Sequence, residues 1–349
     1  MSEPDDRGAA HDKAPDTDET GDRTAAPGRS TRRWLGIVGL ALTAVAVAAL
    51  GLRLLGVDTG LLVYVTSFVP YGVVLAVSGV VLLVLARWRR WAVVAITVAV
   101  CSVAFQVPVM VPDAPPASAV PVVVMTLNLH VGGADPQRVV DIVRSRHVDL
   151  LAVQELTPEE ASALLTAGLG DLLPYVAARA AGGAQGTALW SRWKLDPRDV
   201  QVPLIFRQVA ADVTPPGAES LTIAAVHPAS PGHPFVADDT TRWASEQTAL
   251  AVWLDGLPDP VVAVGDFNTT LDQAPMQALL AHGYQDAAEQ AGVFWRPTWP
   301  YDRIGPPLLA IDHVLSRGGP VADQLAVETV PGTDHGALVV RLQVPTSSP

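Results

Sequence analysis

Six short stretches of the sequence carry side chains that could bind a metal ion or move a proton. They are Thr126-Leu127-Asn128, Gln154-Glu155, His227-Pro228, Gly265-Asp266-Phe267-Asn268, Ile311-Asp312-His313 and Thr333-Asp334-His335. Asparagine, aspartate and glutamate offer hard oxygen ligands of the kind that Mg²⁺ and Mn²⁺ prefer, whereas histidine changes charge near neutral pH. The residue types therefore point to chemistry assisted by a divalent cation.

These stretches lie at the ends of short apolar runs that alternate with helical patterns between about Pro121 and Val344. The predicted strands are Val122–Leu127, Leu150–Val153, Leu221–Val226, Val261–Val264, Leu309–Val314 and Ala337–Val344. Helices are predicted after Asp135-Pro136, from about Thr241 to Leu254, and from about Ala274 to His282. Strand ends and the loops after them are where α/β folds collect ligands and catalytic groups. The pattern predicts a globular α/β domain over residues 121–344.

Each stretch has a simpler interpretation when it is taken alone. Asn128 could end a strand by hydrogen bonding to its own backbone, and Glu155 could be a surface charge beyond a buried strand. His227 could be an ordinary loop histidine, and Gly265-Asp266-Phe267-Asn268 could be a turn, since Gly, Asp and Asn favour turns. Only the complete ordered set distinguishes a site from these alternatives.

In this order the stretches resemble the endonuclease/exonuclease/phosphatase superfamily, which includes deoxyribonucleases, inositol polyphosphate phosphatases and neutral sphingomyelinases. The similarity covers nearly the whole domain after the apolar segments, and Gly186–Arg192 (GTALWSR) is similar to an internal strand of the family that ends in Ser-Arg. The resemblance implies a four-layer α/β sandwich in which two mostly antiparallel sheets lie face to face with helices outside. It also implies hydrolysis of phosphodiester or phosphomonoester bonds.

The resemblance further implies the roles of the residues that match the family's motifs. Glu155 is expected to be the principal ligand of Mg²⁺, with Mn²⁺ as an alternative, assisted by Asn128 and Asp334. Asp266 is expected to orient or deprotonate the attacking water, and Asn268 to donate to a non-bridging phosphate oxygen.

Two histidines complete the set that the resemblance implies. His335 is expected to act on the phosphate or the water, with its ring held by Asp312. His227 is expected to protonate the leaving oxygen; deoxyribonuclease, sphingomyelinase and inositol phosphatase relatives have His at this position. Thr333 stands where Ser is commoner before Asp-His, a mild change because the hydroxyl is kept.

Three long apolar runs precede the domain, at residues 34–55, 61–85 and 91–111. Each is about 20 residues or longer, the length that crosses a bilayer core of roughly 30 Å, so we expect three transmembrane helices. Basic residues precede the first run and separate the second from the third: Arg29, Arg32, Arg33, Arg87, Arg89 and Arg90. By the positive-inside rule, this places the N-terminus in the cytoplasm and the domain outside it, in a multi-pass protein of the cell membrane.

The remaining segments are short or polar. Residues 1–33 are expected to form a disordered cytoplasmic tail, because the first 28 residues hold eight acids and no apolar periodicity. Residues 112–120 are expected to be an extended Pro/Ala linker, and residues 345–349 a C-terminal tail. The single cysteine, Cys101, excludes an internal disulfide framework and the usual thiolate zinc sites.

Charge limits the substrate without identifying it. The chain carries a net charge of −12, and the part from residue 114 onward has 25 acidic and 13 basic residues. Because phosphate contacts drive nucleic-acid affinity, this acidity disfavours a high-affinity duplex binder. The sequence leaves nucleic acid and a phospholipid headgroup open as the phosphoester substrate, with the lipid bilayer as a second partner and no protein partner predicted. An inactive membrane-anchored binding module is a third alternative. Substitution of Glu155 would separate it from an enzyme, because turnover would be lost whereas binding could survive.

Overall fold

The computed structural model describes residues 28–107, 110–232 and 237–347. Most of the expected disordered tail, residues 1–27, lies outside the described residues. The expectation differs from the structure at residues 29–33, which form the first turns of a helix. These five residues extend the hydrogen-bonded ladder of the apolar segment that follows, and adding a residue to an existing helix costs far less than starting one.

The apolar region forms α1 (Arg29–Leu55), α2 (Leu62–Thr66), a 3₁₀ turn at Val69–Tyr71, α3 (Gly72–Leu85) and α4 (Arg89–Gln106). By length and composition, two of these helices, α1 and α4, are long and apolar enough to cross a membrane. The second expected span, residues 61–85, is not one continuous helix. Pro70 lies in the 3₁₀ turn, and its missing N–H and its ring interrupt regular helix there. The third expected span, residues 91–111, corresponds to α4, which ends earlier than expected, at Gln106.

Helices α1 and α3 approach each other through small residues. A methyl group at Gly79 of α3 would lie 2.5 Å from Thr43 Oγ1 and 3.0 Å from the Gly39 carbonyl oxygen. Both distances are below contact, so the two backbones come this close only because Gly79 has no side chain. Small residues at such crossings are typical of helices that pack inside a membrane.

We expect Gly79→Val to separate α1 from α3 and to cost about 1–3 kcal/mol of stability, the usual range for overpacking. Gly51→Val is the matched control, because a methyl group at Gly51 of α1 would meet no atom within 4 Å. Thermal unfolding of the detergent-solubilised chain measures both variants. Equal midpoints for the two variants would contradict the close packing.

The first sheet contains β1 (Ala119–Asn128), β2 (Leu150–Gln154), β3 (Tyr175–Arg179), β4 (Thr187–Ser191), β11 (Val321–Glu328) and β12 (Ala337–Pro345). Its strand order is β11-β12-β1-β2-β4-β3. Strands β1 and β2 are parallel, and the other neighbours are antiparallel. The expected linker at residues 112–120 has no regular structure before β1 begins at Ala119.

The second sheet contains β5 (Leu195–Pro197), β6 (Val209–Val213), β7 (Leu221–Val226), β8 (Val261–Asp266), β9 (Gln285–Asp286) and β10 (Asp312–Arg317). Its order is β5-β6-β7-β8-β10-β9, with β7 and β8 as its parallel pair. The two mixed sheets enclose a core of small and branched apolar side chains, among them Val124, Leu189, Ile223 and Val340.

Helices cover the outer face of each sheet. They are α5 (Pro136–Ser145), α6 (Pro158–Thr166), α7 (Leu169–Leu172), α8 (Ala237–Asp255) and α9 (Ala274–Ala281), whereas the short α10 (Ala287–Gln290) contributes Ala287 to the core between the sheets. One outer core lies between the first sheet and α5 to α7, and another lies between the second sheet and α8 and α9. The architecture is therefore an α/β sandwich of two mixed sheets flanked by helices, and Asp135 caps α5 as predicted.

One buried acid in α6 makes stability depend on pH. Burial, with a smaller contribution from the charge of Asp135, raises the pKa of Glu160 from 4.5 to about 7. A carboxyl whose pKa is higher in the folded state binds more protons when folded, so its contribution to stability is lost as pH rises from about 4.5 to about 7.

We therefore expect Glu160→Gln to raise the unfolding midpoint at pH 8 and to leave it nearly unchanged at pH 4.5. The gain at pH 8 should be on the order of 1–3 kcal/mol, because one pKa unit corresponds to 1.36 kcal/mol. Glu159→Gln, at the exposed neighbouring position, is the control. A midpoint difference between wild type and Glu160→Gln that does not change between pH 4.5 and pH 8 would contradict this assignment.

Candidate active site

The strand directions bring the predicted residues to one edge of the sandwich. Asn128 ends β1 and Glu155 follows β2, and because these strands are parallel their carboxyl ends lie side by side. The second sheet repeats the arrangement, with His227 after β7 and Asp266 at the end of β8. Strands β10 and β12 run the opposite way and begin at this edge, which places Asp312 and the Asp334-His335 pair beside the others.

The site is built across the seam between the two sheets. Asn128 Nδ2, from the first sheet, donates to Glu155 Oε1 at 3.1 Å and to Asp266 Oδ2 of the second sheet at 3.1 Å. Glu155 Oε2 accepts from the backbone N–H of Val131 at 2.8 Å. Asp312 lies directly opposite Asp266 in the β8–β10 register. The seam thus gathers carboxylates from both sheets around one asparagine amide.

His335 is held by a carboxylate, as predicted. Its Nδ1 lies 2.8 Å from Asp312 Oδ2, and its Nε2 lies 3.7 Å from Asp266 Oδ2 and 3.9 Å from Asp334 Oδ1. Burial alone would lower the pKa of His335, but the charges of Asp312 and Asp266 outweigh it and raise the pKa to about 10. The ring is therefore an imidazolium at neutral pH.

His227 sits in the opposite electrostatic situation. Its Nε2 lies 3.7 Å from Asp266 Oδ2 and 4.0 Å from Glu155 Oε1. Phe206 stacks on the ring at a centroid distance of 4.5 Å. The side-chain amide of Gln208 accepts from the backbone N–H of His227 and donates to its backbone carbonyl. Burial lowers the pKa of His227, against the partial compensation from Asp266. Burial therefore favours the neutral form of this ring.

Asp266 lies at the centre of the cluster. Its Oδ1 accepts from the backbone N–H of Asn268 at 2.8 Å, and its Oδ2 accepts from Asn128. Burial raises the pKa of Asp266, and the charge of Asp312 raises it further, whereas the two histidines act in the other direction. A carboxylate with a raised pKa is a stronger base than an exposed one.

Asn268 and the loop around it are fixed by hydrogen bonds. Asn268 Nδ2 donates to the Pro228 carbonyl at 3.0 Å, Trp243 Nε1 donates to the Asn268 carbonyl at 2.9 Å, and Gln247 Nε2 donates to the Phe267 carbonyl at 2.7 Å. Helix α8, which carries Trp243 and Gln247, therefore holds the backbone next to Asp266. Among the described residues, the second N–H of the Asn268 side chain has no partner beyond the bond to Pro228 and could donate to a ligand.

Asp334 lies at the more open side of the site. Its Oδ1 lies 3.2 Å from His130 Nδ1, and its Oδ2 accepts from Trp299 Nε1 at 2.9 Å. Contacts of 4.0 Å or less thus connect all eight predicted residues: Asn128, Glu155, His227, Asp266, Asn268, Asp312, Asp334 and His335. The structure brings the whole predicted set together.

The donor set fits a divalent cation. Four carboxylates converge here, and Asp312 Oδ1 is buried with no hydrogen-bond partner among the described residues. One group of three residues in the described part of the chain, Asp266, Asp312 and His335, places its ligand atoms within 4.8 Å of one another. Asn128 gives its oxygen to the backbone N–H of His130, so it presents its amide nitrogen to Glu155. Four carboxylates this close together, of which Asp266 and Asp312 are buried, require positive charge nearby, which His335 supplies only in part.

The backbone at the site is strained in a way that aims these side chains. Glu155 and Asn268 have φ values of +57° and +49°, and His130 and Val131 have +48° and +55°. L-residues rarely adopt this left-handed conformation, which costs on the order of 1–3 kcal/mol each and clusters at functional sites. The chain turns at Glu155, directly after β2 ends, and this turn lets the Glu155 carboxylate face Asn128.

Gly265, the first residue of the Gly-Asp-Phe-Asn motif, lies where the backbone has no room for a side chain. Its φ is +155°, and a methyl group there would lie 2.1 Å from the Val226 carbonyl oxygen. Strand β8 can approach the end of β7 this closely only when this position has no side chain. The close approach brings Asp266 beside His227.

Sequence reasoning missed two supporting residues, Phe206 and Gln208. They precede β6, a strand that the sequence did not predict, so nothing indicated that they face His227. Trp299 lies in the aromatic and Pro-rich stretch at residues 293–307, which the sequence did not assign to the site. The structure packs Trp299 into the site and leaves Trp295 half exposed.

Comparison with known proteins agrees with this arrangement. The sequence model of the Endonuclease/Exonuclease/phosphatase family matches residues 125–335, which include all eight site residues. A comparison with curated proteins finds no match.

Solved structures share the fold at low sequence identity. The crystal structure of an endonuclease/exonuclease/phosphatase from Beutenbergia cavernae DSM 12333 has 20% identity and a TM-score of 0.51, over 64% of this chain and 72% of that chain. D. rerio TDP2 complexed with a single strand DNA product has 16% identity and a TM-score of 0.50, over 64% and 99%. A functionally unknown conserved protein from Enterococcus faecalis V583 gives the same identity, TM-score and shares.

Proposed function

Because the chain belongs to the endonuclease/exonuclease/phosphatase family, enzymes that hydrolyse phosphoester bonds, we propose that it is a membrane-anchored phosphoesterase that depends on a divalent metal ion. Its catalytic domain lies outside the cytoplasm. The observation that carries the proposal is the pairing of Asp312 with His335 at 2.8 Å, with the ring directed toward Asp266. This places the positively charged ring of His335 next to the buried carboxylate base, Asp266, at the seam between the two sheets.

The metal ion would be held by Glu155 as the principal ligand with Asp334 beside it, and Asn128, whose oxygen accepts from the His130 N–H, would position Glu155 through its amide nitrogen. Mg²⁺, or Mn²⁺ in its place, supplies a Lewis acid that polarises a phosphoryl oxygen and neutralises negative charge. Glu155 is oriented for this role by Asn128 and by the backbone N–H of Val131. The hardness of the oxygen donors favours Mg²⁺ or Mn²⁺ over softer metals.

The residues of this chain then perform the hydrolysis. Asp266 accepts a proton from water as the water oxygen forms its bond to phosphorus and the bond from phosphorus to the leaving oxygen breaks. The His335 imidazolium and the free N–H of Asn268 stabilise the charge on the non-bridging oxygens. His227, whose neutral form is favoured by burial, can hydrogen bond to the leaving oxygen through a ring N–H without giving up the proton. The leaving oxygen takes its proton from solvent, and the proton that Asp266 accepted from water returns to solvent.

The apolar helices support the anchoring part of the proposal. Large apolar side chains on the outward faces of the helices are half exposed or more, among them Val45, Val74 and Val93. In water such a surface would be a large unsatisfied apolar patch, whereas in a bilayer it faces lipid. The flanking arginines assign the start of α1 and the α3–α4 connection to the cytoplasmic side.

Single cysteines test the orientation. In a Cys101→Ala background, Ser30→Cys lies at the start of α1 and Ser347→Cys lies after β12. We expect a membrane-impermeant maleimide to label Ser347→Cys on intact cells, and Ser30→Cys only after the membrane is permeabilised. The reverse labelling pattern would place the domain in the cytoplasm.

Isotope transfer tests the reaction. The full chain hydrolysing bis(4-nitrophenyl) phosphate in H₂¹⁸O should give 4-nitrophenyl phosphate with one ¹⁸O atom per turnover, because water attacks phosphorus. Label in the released 4-nitrophenol would show cleavage of the carbon–oxygen bond instead. Absence of metal-dependent turnover would favour the inactive binding module.

A further inference from the structure

The outer ends of the apolar helices contact the loops that carry half of the active site. We call residues 53–71, from the end of α1 to the 3₁₀ turn, the helix-end segment. One contact is to the loop after β7, where Tyr64 Oη donates to the Pro231 carbonyl at 2.9 Å and to the Gly232 carbonyl at 3.0 Å. Pro231 lies four residues after His227, so this loop connects the helix-end segment with the site.

The loop after β8 is attached more extensively. Arg53 forms an ion pair with Asp272, and the backbone N–H of Ala274 donates to the Asp58 carboxylate. Gln273 Nε2 donates to the Val63 carbonyl at 3.0 Å. These partners follow Asn268 by four to six residues, which fixes the Asp266–Asn268 turn relative to the helices.

The loop before β10 forms the third attachment. Tyr71 Oη donates to the Leu308 carbonyl at 2.7 Å, and its ring meets Trp295 edge-on at 5.1 Å. The Leu308 N–H donates to the Trp299 carbonyl at 2.8 Å, and Trp299 Nε1 donates to Asp334. A chain of hydrogen bonds therefore runs from the helix-end segment to a residue of the active site.

These attachments decide which way the active site faces. All three loops lie at the edge of the sandwich where the predicted residues meet, and the opposite edge holds the starts of β7 and β8. The edge with the active site is therefore the edge that is attached to the outer helix ends. In a protein anchored by those helices, the active site lies at the level of the lipid headgroups.

The rim of the site has the composition of a membrane-interface surface. Ile304 is fully exposed, Arg303 beside it is two-thirds exposed, and Trp295 is half exposed. Arg303 also lies over the Trp299 ring at 5.4 Å. An apolar side chain next to tryptophan and arginine is typical of segments that lie in the headgroup layer. This rim is continuous with the contact that Tyr71 makes with Trp295.

We propose that the substrate is the phosphodiester of a phospholipid headgroup in the leaflet around the helices. The proposal rests on the proposed function, since it names the substrate class of the same site. Water forms a bond to the headgroup phosphorus, the bond from phosphorus to one alcohol oxygen breaks, and that alcohol leaves with a proton. The acidity of the domain repels nucleic acid, whereas a lipid already in the membrane needs no bulk affinity.

Reconstitution of the full chain tests this substrate class. We would place it in vesicles of phosphatidylcholine and phosphatidylglycerol with Mg²⁺ and measure the lipid products by mass spectrometry. Because enzyme and substrate share one surface, turnover per protein should stay constant when the vesicles are diluted tenfold at a fixed lipid composition. Glycerophosphocholine and glycerophosphoglycerol, which have the same headgroup chemistry without acyl chains, should be turned over at least about tenfold more slowly.

Variants at the rim separate membrane access from catalysis. Ile304→Glu should lower lipid turnover about tenfold, because it removes an apolar contact with the headgroup layer, and should leave hydrolysis of bis(4-nitrophenyl) phosphate within about twofold. Val252→Glu is the matched control, since Val252 is 71% exposed on the half of α8 that is remote from the site.

The outcomes distinguish two kinds of failure. Faster turnover of plasmid DNA or RNA than of lipid, unaffected by Ile304→Glu, would overturn the lipid substrate and keep the phosphoesterase. Equal turnover of glycerophosphodiesters and lipids would assign the site to soluble headgroups. Absence of turnover even on bis(4-nitrophenyl) phosphate would overturn the proposed function and the lipid substrate together.

Discussion

Glu155→Gln is expected to lower the turnover number for phosphodiester hydrolysis by on the order of a thousandfold or more. The change removes the charge of the proposed principal metal ligand while keeping the size of the side chain. Loss of a Lewis-acid contact is worth several kcal/mol, and 1.36 kcal/mol corresponds to tenfold in rate. Asn128 donates to one carboxylate oxygen and the Val131 N–H to the other, so the single oxygen of glutamine can keep one of these two bonds, and the unchanged size of the side chain should retain the fold.

Glu159→Gln is the matched control for this prediction. It makes the same chemical change four residues away, at an exposed position of α6. Rates would be measured with saturating Mg²⁺, and circular dichroism would confirm that both variants are folded. Retention of more than about a tenth of wild-type turnover by Glu155→Gln would remove Glu155 from the metal site.

His335→Ala is expected to lower turnover by on the order of a hundredfold to a thousandfold. The imidazolium is a preorganised positive charge, and removal of one such donor costs about 2.7–4 kcal/mol in related chemistry. The variant also leaves Asp312 without its partner at 2.8 Å, so two carboxylates then face each other across the β8–β10 pair. We therefore expect some loss of thermal stability together with the loss of rate.

His282→Ala provides the control for a histidine–aspartate pair outside the site. His282 pairs with Asp255 at the exposed end of α9. Its removal should leave turnover unchanged. If His335→Ala lost only stability, and its rate per folded molecule equalled that of wild type, His335 would be a structural residue and not part of the catalytic machinery.

The sequence predicted which residues the structure brings together, because most of these residues lie at the ends of strongly apolar runs. The predicted strand Leu221–Val226 has the same bounds in the structure, and the predicted strand Val261–Val264 is two residues longer and ends at Asp266. Strand direction then follows from the fold that the resemblance implies, and it places Asn128 beside Asp266. The contact between these two side chains across the seam confirms the arrangement of the strands.

The strands that sequence reasoning missed lack that signal. Strands β5 and β9 are three and two residues long, and in β3 only Ala177 is buried, with exposed residues on both sides of it. Short or edge strands of this kind are fixed by pairing with their neighbours and not by their own composition. The supporting contacts of Phe206 and Gln208 depend on β6, an interior strand that was also not predicted, and were missed with it.

The second apolar run shows a limit of hydropathy. Its 25 residues carry no charge and are mostly apolar, yet a proline and the hydrogen bonds of Tyr64 and Tyr71 make its first part the helix-end segment that contacts the domain. Hydropathy measures transfer to lipid and carries no information on a partner domain. The attachment therefore becomes visible only when both parts of the chain are folded together.

The metal requirement of this site tests the proposed metal-dependent phosphoesterase most directly. The measurement is hydrolysis of bis(4-nitrophenyl) phosphate by the full chain, first in EDTA and then with increasing Mg²⁺, for wild type and Glu155→Gln in parallel. We predict no turnover in EDTA, a saturable rise with Mg²⁺ for wild type, and no recovery for Glu155→Gln at the concentrations that saturate wild type. Equal turnover in EDTA and in Mg²⁺, or full recovery of Glu155→Gln at wild-type Mg²⁺ concentrations, would contradict the account.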